Sequence, residues 1–117
     1  MSILKVNSLQ PANAGSEDYF LARAWVDFTG SGTISIQGSG NVSSLTDLGT
    51  GYYDVTLATA MPNGNFASLS TAASSVSNPS DTHSAASSYN TSTVRTRQYS
   101  SNTASIDAGQ VSCAVFQ

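Results

Sequence analysis

Cysteine, histidine and positive charge are scarce in this chain, and each scarcity excludes a class of function. A lone cysteine, Cys113, precludes a disulfide framework within the monomer. A lone histidine, His83, argues against most metal sites and against histidine-dependent catalysis. The four basic residues (Lys5, Arg23, Arg95 and Arg97) stand against seven acidic ones, and a net charge of −3 gives no footprint for nucleic acid. No apolar run approaches the length of a membrane span, and the N-terminus breaks at Asn7 and Ser8 before a signal-peptide core forms. No segment carries an apolar stripe at helical spacing. No cofactor motif is present either: Gly38-Ser39-Gly40-Asn41 is too short and too polar to cradle a phosphate.

What the chain has instead is small and hydroxylated. Serine and threonine make up 34 of the 117 residues, which disfavours helix because their hydroxyls compete for backbone hydrogen bonds. At this length a single domain is expected, exposing roughly 6,000 Å² of the roughly 17,000 Å² of its extended chain, enough for one core. Apolar residues recur with period two: Ala22, Ala24, Val26 and Phe28; Ile34 and Ile36; Tyr53, Val55 and Leu57; Val111, Cys113 and Val115. Glycines 30, 32, 38, 40, 49 and 51 punctuate short strands in the first half. Pro62-Asn63-Gly64-Asn65 reads as a tight turn with positive φ after the proline, and 78–81 and 107–109 read as further turns.

The pattern predicts an all-β fold, an antiparallel β-sandwich of about seven to eight short strands. The strands are expected near 3–9, 21–28, 33–37, 41–46, 52–59, 65–73, 92–99 and 110–116, with a weak one near 83–88. Residues 10–18 have the composition of a linker. The chain therefore divides into an N-terminal attachment strand and linker, 1–18, and a sandwich domain, 19–117. Residues 70–93 are poor in large apolar side chains, so 74–82 reads as loop and the rest as loop or as strands whose small faces pack closely.

Catalytic constellations are weak. Asp81 and His83 lie close in sequence, but the spacing of Gly30-Ser31-Gly32 and Gly38-Ser39-Gly40 does not make a nucleophile elbow, and an exposed loop histidine is the simpler reading. Asp27, Asp47, Asp54 and Asp107 are scattered one per element, and Asp47 before Gly49 reads as a turn residue bonding its own backbone. Cys113 alternates inward and reads as a small buried hydrophobe. Arg95 and Arg97, with Tyr99 beyond them, share one face of a strand. They form a solvated face paired with acidic neighbours, a subunit interface or a surface for an anionic ligand. Trp25 is an anchor within the core or between subunits.

Three blocks of sequence add a resemblance. Ala24-Trp25-Val26-Asp27-Phe28-Thr29-Gly30-Ser31-Gly32-Thr33 is followed by Asn41-Val42-Ser43-Ser44-Leu45-Thr46-Asp47-Leu48-Gly49-Thr50-Gly51-Tyr52-Tyr53-Asp54-Val55, then by Thr59-Ala60-Met61-Pro62 with Phe66. With the opening Met1 to Gln10, these blocks resemble a module of tail-fibre-like and other structural proteins of tailed bacteriophages, particularly marine ones. The match covers about the first half of the chain.

The resemblance implies a non-enzymatic virion protein, made in the host cytoplasm and placed on the capsid or tail surface. It also implies an oligomer, commonly a homotrimer, with a capsid or tail protein as partner and a host surface glycan as a possible second one. Residues 1–9 would dock by strand addition through Ile3, Leu4, Val6 and Leu9. Trp25, Arg95, Arg97 and Tyr99 are the expected subunit interface. Asn41, Asn63, Asn65, Asn78, Asp81 and His83 are the expected host-contact loop residues. A ten-residue linker reaches at most about 35 Å, so a short knob or a capsid decoration is expected rather than a long fibre. The competing classes are a phage glycan-active enzyme using Asp81 and His83, and a carbohydrate-binding module stacking sugars on Trp25, Tyr52 and Tyr53.

Overall fold

The computed structural model describes residues 2, 3, 5, 7, 21–74, 82–100 and 104–117. These form eight strands: β1 Ala24–Thr29, β2 Ser35–Gly40, β3 Val42–Gly49, β4 Tyr52–Leu57, β5 Ala67–Ala73, β6 Thr82–Asn90, β7 Thr93–Ser100 and β8 Gln110–Phe116. All pairings are antiparallel, in two four-stranded sheets of order β2-β1-β8-β5 and β3-β4-β7-β6. The all-β sandwich expected from the period-two pattern is the observed fold. β1 and β8 lie side by side at the centre of one sheet, and β4 and β7 at the centre of the other.

Two expectations about the strands change. The weak strand near 83–88 is β6, a nine-residue element. Its inward positions are small, and Ser84 Oγ meets Ser70 Oγ of β5 at 2.6 Å, while Ser88 Oγ donates to the Phe66 carbonyl at 3.3 Å. Small side chains let the edges of the two sheets close on each other, so low hydrophobicity marks close packing here rather than loop. At the N-terminus, the described residues Ser2, Ile3, Lys5 and Asn7 lie in no strand, and Ile3 is exposed. The other residues of the strand expected near 3–9, namely Leu4, Val6, Ser8 and Leu9, lie outside the described residues.

The core comes from the alternation read in the sequence. Ala24, Val26 and Phe28 of β1, Tyr53, Val55 and Leu57 of β4, Val94 of β7, and Val111, Cys113 and Val115 of β8 are buried, with Met61 and Ala108 beside them. Each large aliphatic or aromatic side chain fully withdrawn from water contributes about 1.5–3 kcal/mol. Phe28 and Tyr53 meet edge to face across the sheets, with ring centres 5.1 Å apart. The Tyr53 hydroxyl reaches the Gly30 carbonyl at 2.7 Å and Asp107 Oδ1 at 2.9 Å, and the Gly51 N–H donates to the same Asp107 oxygen at 2.8 Å. One side chain thus ties β4 to the ends of β1 and of the 104–109 segment.

Asn41 makes the single-residue step from one sheet to the other, with φ 55°. Its amide donates to the carbonyls of Arg23 and Thr59 at 3.1 Å each, and its Oδ1 accepts from the Thr59 N–H at 2.7 Å. The turn at 62–65 differs from the expected type. Gly64 does not take positive φ; the Asn65 N–H instead donates to Asn63 Oδ1 at 2.8 Å. The side chain mimics the backbone turn, so glycine's left-handed freedom is not used there.

Two polar side chains are fully buried between the sheets, Thr96 and Gln98 of β7. The Gln98 amide donates to Ser84 Oγ at 3.2 Å, whereas Thr96 Oγ1 and Gln98 Oε1 have no partner among the described residues. A buried unmatched hydroxyl costs about 1–3 kcal/mol. Thr96→Val is therefore expected to stabilise the domain by about 1 kcal/mol and raise Tm by about 3–6 °C in thermal unfolding. An unchanged or lower Tm would show that the hydroxyl is satisfied in solution.

Candidate functional site

Each sheet of the sandwich buries one face and leaves the other outside, and the two outer faces have different chemistry. On β3-β4-β7-β6 the register sets Tyr52 beside Arg97 and Asp54 beside Arg95, across β4 and β7. It sets Ala85 beside Arg97, Ser87 beside Arg95 and His83 beside Tyr99, across β6 and β7. Opposed residues on one face of an antiparallel pair lie within side-chain contact, and here they interlock. Arg95 donates through Nε to Asp54 Oδ1 at 2.8 Å and through Nη2 to Oδ2 at 2.9 Å, a bidentate pair. Its guanidinium also lies 4.0 Å from the centre of the Tyr89 ring.

Arg97 lies between two tyrosines, 5.1 Å from the Tyr52 ring centre and 5.7 Å from that of Tyr99. Its Nη2 donates to Ser105 Oγ at 3.2 Å. His83 stacks on Tyr99 with centres 5.5 Å apart and planes 16° from parallel. The result is a row of rings and cations along an exposed sheet face. The hydrogen bonds that Arg95 donates to Asp54 hold it protonated even more firmly than a free guanidinium. Among the described residues Arg97 has no carboxylate partner, so its charge is the uncompensated one. Such a face offers stacking surfaces, hydrogen-bond donors and a free positive charge.

The outer face of β2-β1-β8-β5 carries an open groove of about 400 Å³. Trp25 of β1 and Leu69 of β5 are its walls and Ser112 and Ala114 of β8 its floor, and both walls are exposed. Asp27 lies along it, accepting from Gln110 Nε2 at 3.2 Å and from Ser112 Oγ at 3.3 Å. The indole lies over β2 because two positions there lack side chains. A Cβ at Gly40 would come within 2.5 Å of Trp25 Nε1, and one at Gly38 within 3.2 Å of the far edge of the ring. Glycines 38 and 40 are therefore not turn punctuation, as the sequence suggests, but the bed for Trp25 inside a strand.

The residues singled out in the sequence are distributed as follows. Arg95, Arg97 and Tyr99 share one face, as their spacing implies, and Trp25 sits on the opposite face of the sandwich. Asn41, Asn63 and Asn65 gather at the end where the chain enters β1, and turn contacts occupy Asn41 and Asn63. Asn63 Oδ1 and the Asn65 carbonyl both accept from Gln117 Nε2, at 2.7 Å and 3.0 Å. His83 lies in β6 rather than in a loop, at the other end of the molecule, because its neighbours pair with β7. Asn78 and Asp81 lie outside the described residues, as do Leu4, Val6 and Leu9.

Tyr53, a sugar-stacking candidate beside Tyr52, is wholly buried and belongs to the core. Burial and the nearby Asp107 push its ionisation well above the usual tyrosine range. Burial likewise pushes the Cys113 thiol up to about 11, so it is protonated and unreactive at neutral pH. Asp47 accepts from the Gly49 N–H at 2.9 Å, the turn role expected of it. No group of three histidine, cysteine or acidic side chains able to hold a metal occurs among the described residues.

Tyr89 and Asp54 are the members of the ring-and-cation row that sequence reasoning missed. The signal for Tyr89 was present: His83, Ala85, Ser87 and Tyr89 alternate, and become one face once the segment is read as a strand. Comparison of the chain with protein-family models, curated proteins and solved structures gave no match.

Proposed function

We propose that this chain is a non-enzymatic structural and binding protein of a tailed-bacteriophage virion. Residues 1–9 attach it to a capsid or tail protein by strand addition. The sandwich is a short exposed knob, assembled with other copies of itself, that touches the host surface. The observation that best supports this reading is the row His83, Tyr99, Arg97, Tyr52, Asp54, Arg95 and Tyr89 on one sheet face. The core of the domain closes between the two sheets without that face, so its rings and the Arg97 guanidinium are available for recognition. Exposed tyrosine and arginine concentrate binding energy where proteins meet partners. The outer face of the other sheet, where Trp25 and Leu69 are exposed, is the one left for contact with other copies of the chain.

The test is made in the particle. Virions whose copy of the protein lacks residues 2–10 are expected to assemble without it, although the truncated protein still folds with its normal Tm. Incorporation at normal copy number would overturn the anchoring role. Antibodies against the β4-β7-β6 face are expected to block adsorption. If they leave adsorption intact and loss of the protein instead weakens the head, the protein is a capsid decoration rather than a knob.

A further inference from the structure

We infer that the outer face of β4, β7 and β6 is a binding site for a carboxylated glycan, with Arg97 receiving the carboxylate. The inference deepens the host-contact reading above and rests on it for its biological setting, while the chemistry stands on the geometry. The chain has only four basic residues in a molecule of net charge −3, and two of them are adjacent on the same face of β7. Asp54 occupies the Arg95 fork with both of its oxygens. Arg97, exposed and two residues along, has a serine hydroxyl and two rings around it and no carboxylate among the described residues. A guanidinium presents paired N–H donors in a plane that matches a carboxylate, so Arg97 has the donor geometry that Arg95 already uses on Asp54.

The surroundings of Arg97 favour a sugar chain. Tyr52 and Tyr99 flank it, and His83 extends the ring surface beyond Tyr99. Aromatic rings combine an apolar face with a polar edge, the combination a sugar ring meets with its C–H face and its hydroxyls. Ala85 and Ser87 lie opposite Arg97 and Arg95 on β6, so no bulky neighbour covers the guanidinium from that side. From His83 to Tyr89 the strand runs about 20 Å, long enough for several sugar units to lie along it.

The charge balance sets the ligand class more narrowly. Nucleic acids and densely sulfated chains gain affinity by neutralising many anionic groups at once. Among the described residues this face offers them one uncompensated cation, with Asp54 beside it and a net negative protein behind it. A glycan with one carboxylate per repeating unit asks for no more than that.

The experiment is a nuclear magnetic resonance titration of the full chain with tetramers of galacturonate, guluronate and mannuronate. Their methyl esters and a heparin tetrasaccharide serve as comparisons. At least one uronate tetramer is expected to shift the resonances of Tyr52, Arg97, Tyr99 and His83 saturably, and its neutral ester to bind about tenfold more weakly or worse. Arg97→Ala is expected to weaken uronate binding about 10- to 100-fold, with Arg97→Lys recovering part of the loss. Arg23→Gln removes the same charge elsewhere and is expected to change nothing.

Absence of saturable binding by every uronate, equal binding of acid and ester, equal losses in Arg97→Ala and Arg23→Gln, or tightest binding by heparin would each overturn the inference. If uronate binding behaves as stated but virions carrying Arg97→Ala adsorb normally, the ligand stands and the host-attachment reading falls. If adsorption is lost with no uronate binding, the glycan assignment falls and the attachment reading stands.

Discussion

Replacing Gly51 by alanine is expected to cost the fold about 3 kcal/mol or more, enough to leave a domain of this size marginal. Gly51 has φ 72°, in the left-handed region where a side chain costs about 1–2 kcal/mol. The larger part of the effect is the close approach around it. A Cβ there would lie 2.5 Å from the Gln98 carbonyl oxygen, 2.7 Å from the Ile106 carbonyl oxygen and 3.0 Å from the Ile106 nitrogen. None of these can move aside, because the Gln98 N–H donates to the Gly51 carbonyl at 2.8 Å and the Ile106 N–H to the Gln98 carbonyl at 3.2 Å. Gly49, with φ 131° and nothing within 4 Å of its added Cβ, is the internal comparison. Gly49→Ala is expected to lose only the backbone term, about 1–2 kcal/mol. Urea unfolding of the two variants separates the contributions, and equal losses would mean that the close approach at Gly51 is not what requires glycine.

Tyr53 is the second large effect. Tyr53→Ala is expected to cost about 4–5 kcal/mol, from an emptied aromatic site and the lost hydroxyl contacts to the Gly30 carbonyl and Asp107, whereas Tyr53→Phe should cost about 1–2 kcal/mol. The phenylalanine keeps the edge-to-face contact with Phe28 and loses only the hydroxyl that serves the Gly30 carbonyl and Asp107. The same hydroxyl gives stability an alkaline limit. Its ionisation is raised in the folded state from a usual value of 10.0, so its contribution is complete below that pH and is lost as the unfolded chain releases its proton above it. The slope from this one group is up to about 1.4 kcal/mol per pH unit, and Tyr53→Phe is expected to remove it. Unfolding free energies measured from pH 8 to 11 check both statements. A Phe variant as unstable as the Ala variant would place the energy of the site in the hydroxyl rather than in the ring.

The fold was legible where side chains alternate strongly. β1, β4 and β8 follow from Val26 and Phe28, Tyr53 and Val55, and Val111 and Val115, because period two with one buried face admits a single register. β6 was nearly invisible because its inward residues, Ser84, Ala86 and Ser88, carry no hydrophobic signal; they hold the sheet by fitting closely against β5. The ring-and-cation row was half legible for the same reason. Arg95, Arg97 and Tyr99 share a face by spacing alone, but Tyr52, Asp54, His83 and Tyr89 join them only through cross-strand register, which depends on which strands become neighbours. The seating of Trp25 on Gly38 and Gly40 was hidden likewise, since glycine marks turns and close approaches equally well in a sequence.

The central claim is that this sandwich is carried on a virion with its aromatic and cationic face turned outward. A cryo-electron-microscopy reconstruction of intact particles tests it most directly. The expected map shows the eight-stranded sandwich on the particle surface, residues 1–9 added to the edge of a capsid or tail sheet, and Arg97, Tyr52 and Tyr99 facing solvent. A particle that lacks the protein, or one in which that face is buried against the capsid, would contradict the account.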